Sequence, residues 1–398
     1  MTKNSRLPLL AFAWVITRVW ALSSGYQILP YPNSQYLFSD VRLYDWWAGN
    51  IADGHFPIND PMWQYPPLAA LVFLAGYLIA GKTIGFVFLA LLADFAIFAL
   101  LSNQVIKSRN GNVIPVMIWV ATPLLMGPII LGRFDVFPTL AVVAALFYSG
   151  SPRAFGSLSA IGTLLKVWPV LNLIATPPTK FIKSTLWFLG TFFLGSALLT
   201  IWWPNSFTFI AGQKLRGLQI ESVGALPYMI WNAGTGSTTS AFQFGSIEVV
   251  AAGTGVVSLV MTLIGIGLLG TLITWRLTGK LTNVSPPDIV LLAVLISMCT
   301  SRVLSPQYMV WVFGVLAVSA FKPQPNFKKL VALIFTSAFI GQLIYPWLYI
   351  EFQQGEVLPT AAHLIRVVAL LVATKICWDN IKGALKQERP DPVHAEAN

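Results

Sequence analysis

Long apolar runs separated by short polar loops fill the sequence and limit what it can fold into. A helix that crosses the roughly 30 Å hydrocarbon core of a bilayer needs about 20 apolar residues. Only 10% of the 398 residues are charged, whereas soluble domains carry about a quarter. The sequence therefore predicts an all-α polytopic membrane protein with about 10–12 membrane helices. The clearest spans lie at about 7–28, 84–106, 113–131, 136–149, 184–204, 248–275, 287–303, 306–321, 328–349 and 359–378.

The chain is expected to form one transmembrane domain, over residues 1–385, with a disordered cytoplasmic tail at 386–398. The first apolar run resembles a signal peptide. It is long, however, and no small-residue cleavage motif follows it, so we expect a retained first helix. The basic residues form no run interleaved with aromatics, and a nucleic-acid partner is not expected.

Basic residues indicate which loops face the cytoplasm, because Lys and Arg are enriched there. Lys3 and Arg6 precede the first run, and further basic residues occupy the loops at 276–280 and 321–329 and the C-terminal segment. We therefore expect both termini in the cytoplasm. The loops expected outside are the first loop, about 29–82, and those at 205–247 and 351–356.

Two apolar segments do not fit a simple alternation of spans. Residues 66–81 would make about 24 Å of helix, which is short for a span. A non-spanning helix on the external side keeps the basic loop at 107–112 inside, so we favour it over a span. Residues 151–183 carry basic residues at both ends and break at Lys166–Pro169, which predicts a broken hairpin that enters from the cytoplasm and returns.

The first external loop gathers four of the fifteen carboxylates, and Asp40 is the most informative of them. Ser39 is a suitable helix N-cap, and the spacing of Leu43, Trp47 and Ile51 predicts an amphipathic surface helix that begins at Asp40. Asp40 then either complements the helix dipole or serves a functional site. His55 has no second histidine nearby in sequence, so no metal site is expected.

The predicted topology brings further polar residues to the same external face. Arg133 and Asp135 separate two apolar runs, either as a structural ion pair or as an anion and sugar site. Lys166 stands alone in the broken hairpin, where a phosphate or carboxylate partner explains it best. The other candidates on this face are Arg216, Glu221, Arg302 and Gln307.

Several kinds of chemistry are not expected. The sequence has no P-loop, Rossmann glycine pattern, zinc-ligand spacing or nucleophile elbow, and its two cysteines lie in or near apolar segments. What the pattern favours is an external cavity at membrane level with one well-placed acid and several cations. That arrangement suits a lipid-phosphate substrate whose tail stays in the bilayer.

Six segments together resemble the GT-C superfamily of membrane glycosyltransferases, and more narrowly glycosyltransferase family 87. This family includes actinobacterial mannosyltransferases that use polyprenyl-phosphate-mannose, and related arabinofuranosyltransferases. The resemblance runs over about residues 7–321. Its segments are "SDVRLYDWW", "WQYPPLAALVF", "GRFDVFPTL", "LLKVWPVL", "RGLQIESVGALP" and "SRVLSPQYMVW". The better-known mannosyltransferases of the family carry a His-containing motif where this chain has "LSPQYMVW".

The resemblance implies a GT-C-like fold and an inverting sugar transfer without metal or cofactor. In the family, the acid of the first external loop is the proposed catalytic base, which corresponds to Asp40 here. The donor implied is a polyprenyl-phosphate sugar, mannose first and arabinofuranose as the alternative, and the acceptor a cell-envelope glycan or glycolipid. The setting implied is a bacterial plasma membrane with the site on its external face. A lipid-linked sugar transporter or flippase is the alternative of another class.

Roles for the remaining candidates follow from the chemistry that the resemblance implies. A leaving phosphate needs cations, and an attacking hydroxyl needs polar and aromatic contacts. The expected donor phosphate and sugar residues are Arg133, Asp135, Lys166, Arg302 and Gln307, and the possible acceptor or sugar contacts are Tyr44, His55, Tyr65, Arg216 and Glu221.

Overall fold

The computed structural model describes residues 3–108, 111–212, 216–237 and 239–386. Over these residues the chain is mostly helical. The helices are α1 (Lys3–Gly25), α2 (Ser39–Ala52), α3 (Leu68–Ala80), α4 (Lys82–Lys107), α5 (Ile114–Val120), α6 (Thr122–Met126), α7 (Val136–Phe147), α8 (Pro152–Leu165), α9 (Pro178–Trp202), α10 (Phe209–Gly212), α11 (Leu226–Thr235), α12 (Thr254–Leu277), α13 (Pro286–Thr300), α14 (Met309–Ser319), α15 (Phe327–Gln342), α16 (Tyr349–Gln354) and α17 (Val357–Lys386).

Six helices of the described part are long and apolar enough to cross a bilayer. This is consistent with the predicted polytopic membrane protein. Four shorter apolar helices, Leu68–Ala80, Val136–Phe147, Pro286–Thr300 and Pro306–Ser319, complete the bundle. The long candidates are Arg6–Gly25, Lys82–Lys107, Pro178–Trp202, Thr254–Leu277, Phe327–Trp347 and Val357–Leu385.

Helices α13 and α14 occupy the centre of the bundle. Every residue of α14 is buried, and so are the eleven residues of α13 other than Pro286, Pro287, Ser297 and Thr300. A helix that is apolar all round needs neighbours on every side. The surrounding helices therefore enclose these two.

Helices α1 and α4 are antiparallel neighbours, which decides how the first loop runs. Arg18 in α1 pairs with Asp94 in α4 at 2.8 Å, and the ring of Trp14, one turn earlier in α1, lies 5.6 Å from that of Phe98, one turn later in α4. Helix α4 therefore begins at the level where α1 ends. The chain between them starts and finishes at one end of the bundle, in agreement with the predicted non-spanning segment at 66–81.

The segment at 151–183 is a broken hairpin, as predicted. The Ser157 hydroxyl accepts a hydrogen bond from Thr191 at 2.9 Å, and the Cβ that Gly195 lacks would lie 2.7 Å from Leu164. Because α8 and α9 are thus parallel, the chain between them must return. It does so through a 3₁₀ helix at Trp168–Ala175, whose Asn172 donates to Ser159 of α8 at 3.1 Å.

One end of the bundle, called the basic end below, collects loops rich in Lys and Arg. Asn112 donates to the Ala320 carbonyl at 2.8 Å, and Lys180 donates to the Gly150 carbonyl at 2.9 Å. The ring of Phe147 lies 5.8 Å from that of Phe321, which joins the two groups of loops. The described basic residues of these loops and adjoining helix ends are Lys107, Arg153, Lys180, Lys183, Lys280, Lys322, Lys328, Lys329 and Lys382. The opposite end, called the site end, carries the first loop and Asp40.

A small β-hairpin at the site end corrects the all-α prediction. Strands β1 (Thr239–Gln243) and β2 (Ser246–Val250) pair antiparallel, and Ile220 N donates to Ile247 O at 3.0 Å along the outer edge of β2. The predicted span at 248–275 therefore begins too early, because β2 is apolar and continuous in sequence with α12. Phe244 and Gly245 adopt positive φ at the turn, and that signal was not recognised in the sequence.

Three further predictions need adjustment. The predicted span at 113–131 is broken into α5, α6 and a 3₁₀ turn, because Pro123 and Pro128 interrupt the helical hydrogen bonding. Phe38, and not Ser39, is the N-cap of α2. Helix α17 continues to Lys386, and the rest of the predicted tail, 387–398, lies outside the described residues.

Candidate active site

A cavity of about 870 Å³ opens at the site end of the bundle. Its walls come from α2, the tip of the broken hairpin, the extended segment at 216–222, the β-hairpin, the loop before α14 and helix α16. These elements are far apart in sequence. The cavity brings together eight predicted site residues: Asp40, Tyr44, Tyr65, Arg133, Lys166, Arg216, Glu221 and Gln307.

Asp40 lies in the first turn of α2 and pairs with Arg133. Its Oδ2 is 3.1 Å from Arg133 Nε, and 36% of the Asp40 side chain is exposed. Arg133 is buried, and its Nη1 donates to the carbonyls of Leu37 and Gly132 while Nη2 donates to the Tyr345 hydroxyl at 3.0 Å. Although burial lowers the pKa of Arg133, the Asp40 carboxylate raises it above its usual value. The guanidinium is therefore a fixed, permanently charged support for Asp40.

Asp135 and Lys166 form a second ion pair on the same side of the cavity. Lys166 Nζ lies 2.6 Å from Asp135 Oδ1, and the Trp311 indole N–H donates to the same oxygen at 2.6 Å. Three aromatic rings surround the ammonium, with centroids 5.8 Å away for Tyr65, 5.2 Å for Tyr308 and 5.1 Å for Trp311. Asp135 is buried beneath Lys166, so only the lysine faces the cavity.

Two tyrosines lie between these ion pairs. The hydroxyls of Tyr44 and Tyr65 are 2.8 Å apart. Burial raises the pKa of both phenols, and the negative charge of Asp40 adds to this effect. Both groups therefore stay protonated at neutral pH and act as neutral hydrogen-bonding groups in the cavity wall.

Arg216 and Glu221 belong to the segment that covers the cavity from the other side. Arg216 donates to Gln64 of the first loop and to Ser246 of the β-hairpin at 3.1 Å, so it ties these elements together. Glu221 is buried and forms an ion pair with Arg366 of α17. Arg366 was not among the sequence candidates, although a lone arginine in a long apolar helix was a usable signal.

Not every predicted residue reaches the cavity. Arg302 lies behind the wall and donates to the Arg216 carbonyl at 3.0 Å. His55 is exposed beyond the end of α2, and its backbone N–H bonds to Asn50 O at 2.8 Å. Neither residue lines the cavity. Among the described residues, no group of three His, Cys, Asp or Glu side chains is arranged to hold a metal ion.

An apolar groove of about 950 Å³ lies beside the cavity. It runs along α9 and is lined by side chains such as Phe192, Phe193 and Ile201. Three residues line both spaces, namely Pro66, Val167 and Phe209. The groove thus meets the polar cavity at the hairpin tip, directly beside Lys166.

Comparison with known proteins adds no relative to this description. No protein-family model matches the chain, and neither the curated proteins nor the solved structures give a significant match.

Proposed function

We propose that the chain is an inverting glycosyltransferase that moves a sugar, mannose in the first place, from a polyprenyl-phosphate donor to a glycan or glycolipid acceptor. One observation carries the proposal. Asp40, a partly exposed carboxylate on a buried arginine, faces the same cavity as Lys166, and Lys166 stands where this cavity meets the apolar groove.

The donor fits this arrangement in two parts. The apolar groove along α9 accepts the first isoprene units of the lipid through van der Waals packing, because a lipid tail is as apolar as the residues that line the groove. The phosphate then lies at the hairpin tip, near Lys166. The ammonium has three donors, and one of them is held by Asp135, so the others are available to phosphate oxygens.

The transfer step requires a base and a stabilised leaving group. Asp40 accepts the proton of the acceptor hydroxyl, and the oxygen attacks the anomeric carbon from the face opposite the phosphate. The bond between that carbon and the phosphate oxygen breaks, and its electron pair leaves with the polyprenyl phosphate. Lys166 stabilises the developing charge. No general acid is needed because the phosphate leaves as an anion, and the product has inverted configuration.

The proposed location follows from the charge asymmetry of the two ends. The basic end carries most of the exposed Lys and Arg, which favours the cytoplasmic side. The cavity then opens on the external face of a plasma membrane, with both termini inside. Resemblance to actinobacterial enzymes supports a bacterial plasma membrane and an acceptor of the cell envelope.

The test is sugar transfer by the purified full-length chain in lipid vesicles. Radiolabelled polyprenyl-phospho-mannose and polyprenyl-phospho-arabinofuranose serve as donors, and an actinobacterial envelope glycolipid extract supplies acceptors. We expect Asp40→Asn to abolish transfer, whereas Asp53→Asn, an exposed acid of the same loop, leaves it unchanged. Transfer of arabinofuranose alone would identify the alternative donor.

Two results would overturn the proposal. Full sugar transfer by the Asp40→Asn variant would show that Asp40 is not the catalytic base. Movement of the labelled lipid across the vesicle membrane without any transfer indicates the alternative class, a lipid-linked sugar flippase.

A further inference from the structure

Glu221 is the second acid of the cavity, and its surroundings distinguish it from Asp40. Among the described cavity-lining residues, Asp40 and Glu221 are the two acids. Asp40 is partly exposed, whereas the Glu221 side chain is only 1% exposed. An acid this deeply buried on a cavity wall needs an explanation, because desolvation of a carboxylate is expensive.

Arg366 supplies the compensating charge from the last helix of the bundle. Its Nη1 pairs with Glu221 Oε2, and its Nη2 donates to Leu304 O at 3.2 Å. Gln219 completes the arrangement. Its Nε2 donates to Glu221 Oε1 at 3.3 Å, and its Oε1 accepts from Leu304 N at 2.8 Å. Glu221 is therefore held in one position by α17, by its own segment and by the loop before α14.

Comparison with the buried pair Arg18–Asp94 shows what is different at Glu221. Asp94 accepts from Arg18 through both carboxylate oxygens, and the Trp14 indole adds a third hydrogen bond. Glu221 has one such bond on each oxygen. A carboxylate offers about four acceptor positions. Glu221 therefore retains capacity to accept hydrogen bonds from a ligand, and it does so on the wall of a cavity.

The stability of the fold does not by itself explain this pair. Replacing a buried ion pair with apolar residues of similar volume is often neutral or stabilising. An arginine placed inside α17 to hold a carboxylate at a cavity wall is better explained by a need for negative charge at that point.

Two tyrosines connect Glu221 to the reacting end of the cavity. The Tyr345 hydroxyl accepts from Arg133, the partner of Asp40, and the Tyr345 and Tyr349 rings lie 5.1 Å apart. Burial raises the pKa of the Tyr349 phenol, and the negative charge of Glu221 adds to the rise. Both rings line the cavity. Tyr345, beside the Arg133 partner of Asp40, and Tyr349 thus continue the cavity wall from the reacting end into helix α16.

We infer that Glu221, positioned by Arg366, forms with Tyr349 and Gln353 a subsite for a neutral sugar unit of the acceptor. This inference rests on the proposed glycosyl transfer. Gln353 lies one helical turn after Tyr349 in α16 and lines the same wall. The Gln353 amide donates or accepts one hydrogen bond with a sugar hydroxyl, and the Tyr349 ring covers the apolar face of the sugar. The Glu221 carboxylate, only 1% exposed, accepts at most one hydrogen bond at the cavity wall. The preceding sugar unit then presents its hydroxyl to Asp40.

The experiment measures saccharide binding separately from transfer. The full-length chain carrying Asp40→Asn is purified in detergent, so that no turnover occurs. It is titrated calorimetrically with two neutral probes, methyl mannobioside and methyl arabinofuranobioside. We expect Glu221→Gln to weaken binding of at least one probe about tenfold, which corresponds to about 1.4 kcal/mol. The matched control is Glu351→Gln, an exposed acid of α16 that does not line the cavity.

Two more variants separate binding from folding. Arg366→Lys keeps the charge and loses the planar guanidinium, so it should weaken probe binding less than Glu221→Gln does. Gln353→Ala changes a cavity residue without touching the ion pair, and it should weaken binding severalfold at an unchanged unfolding temperature. In the active chain, Glu221→Gln should raise the acceptor KM and leave the donor KM unchanged.

The outcomes distinguish this subsite from the proposed function. If the chain transfers sugar but Glu221→Gln binds both probes as tightly as the Glu351→Gln control, the subsite is wrong and the transferase assignment stands. If probe binding depends on Glu221 and no transfer occurs, the subsite stands and the transferase assignment fails. Absence of probe binding to the Asp40→Asn chain also overturns the subsite.

Discussion

Asp40 Oδ2 lies 3.1 Å from Arg133 Nε, and the two side chains differ sharply in exposure, at 36% for Asp40 and 5% for Arg133. The buried member of the pair also donates three hydrogen bonds, to Leu37, Gly132 and Tyr345. Few of its five N–H groups therefore remain for a ligand. Arg133 is better suited to positioning Asp40 than to the predicted binding of a donor phosphate.

Substitution of Arg133 distinguishes these two roles. We expect Arg133→Met to lower kcat about 100-fold or more with little change in donor KM, because a misplaced base loses geometry that exists only in the transition state. Arg133→Lys should recover little, since Lys cannot reproduce the guanidinium contacts. Arg42→Met, an exposed arginine of α2, is the control. A large rise in donor KM at unchanged kcat would instead show that Arg133 binds the donor phosphate.

Lys166 faces the cavity next to Val167, where the cavity meets the apolar groove and where the donor phosphate is proposed to bind. We expect Lys166→Met to raise the donor KM by about tenfold or more, which is the loss of a charge-assisted hydrogen bond of about 1.5–3 kcal/mol. Asp135→Asn should have a related but smaller effect, because Trp311 still holds the side chain while the ammonium loses its ion pair. Steady-state kinetics with varied donor measure both. The control Lys180→Met, at the basic end, should have the donor KM of the unsubstituted chain.

The sequence predicts the elements of the site better than it predicts their partners. Apolar length and basic flanks were enough for the broken hairpin, and helical spacing was enough for the buried face of α2. The pairing of Asp40 with Arg133 and of Lys166 with Asp135 depends on tertiary contacts over long sequence separations. Local propensity carries no information about such contacts.

The misses have specific physical causes. The β-hairpin is not predicted, for two reasons. Strand β2 is as apolar as the start of a membrane span, and the positive-φ turn at Phe244–Gly245 lacks the Asn-Gly or Asp-Gly pair that is typical of hairpin turns. Arg366 is not predicted as a site residue, because a single arginine in a long helix is also compatible with snorkelling to the interface. Asp60 lies in the turn after α2, where it accepts from Met62 N at 2.8 Å and also from the Trp47 indole at 2.7 Å. The contact with Trp47 depends on the tertiary fold and has no local signal.

The Arg18–Asp94 pair is predicted to be structural. It lies inside the α1–α4 contact, and Arg18 also donates to the carbonyls of Trp119 and Val120 at 3.0 and 2.9 Å. Asp94→Asn leaves the arginine without its charge partner, so we expect a loss of about 3–5 kcal/mol in the free energy of unfolding. Denaturant unfolding in detergent measures it. The double variant Arg18→Met with Asp94→Leu should recover most of the loss, and an equal loss in both would contradict this assignment.

The pH dependence of stability provides a test at Glu221. Burial raises the pKa of this carboxyl in the folded chain, while the charge of Arg366 opposes the rise. Because the folded-state pKa lies above the unfolded value, the folded chain binds more protons than the unfolded chain at pH values between these two pKa values. Stability should therefore fall as the pH rises from about 4.5 through the folded-state pKa. Glu221→Gln should remove this fall in stability with rising pH, as measured by thermal unfolding across that pH range. An unchanged pH dependence in the variant would show that Glu221 does not titrate in that range.

The orientation of the chain can be tested with single cysteines, because the two native cysteines, Cys299 and Cys377, are buried. Phe242 is 63% exposed in the β-hairpin of the site end, and Lys322 is exposed in a loop of the basic end. We expect a membrane-impermeant maleimide to label Phe242→Cys in intact cells and Lys322→Cys only after permeabilisation. The charge asymmetry between the ends is the physical reason, since Lys and Arg are retained on the cytoplasmic side. The reverse pattern would place the cavity inside the cell, and with it any donor lipid that the cavity binds.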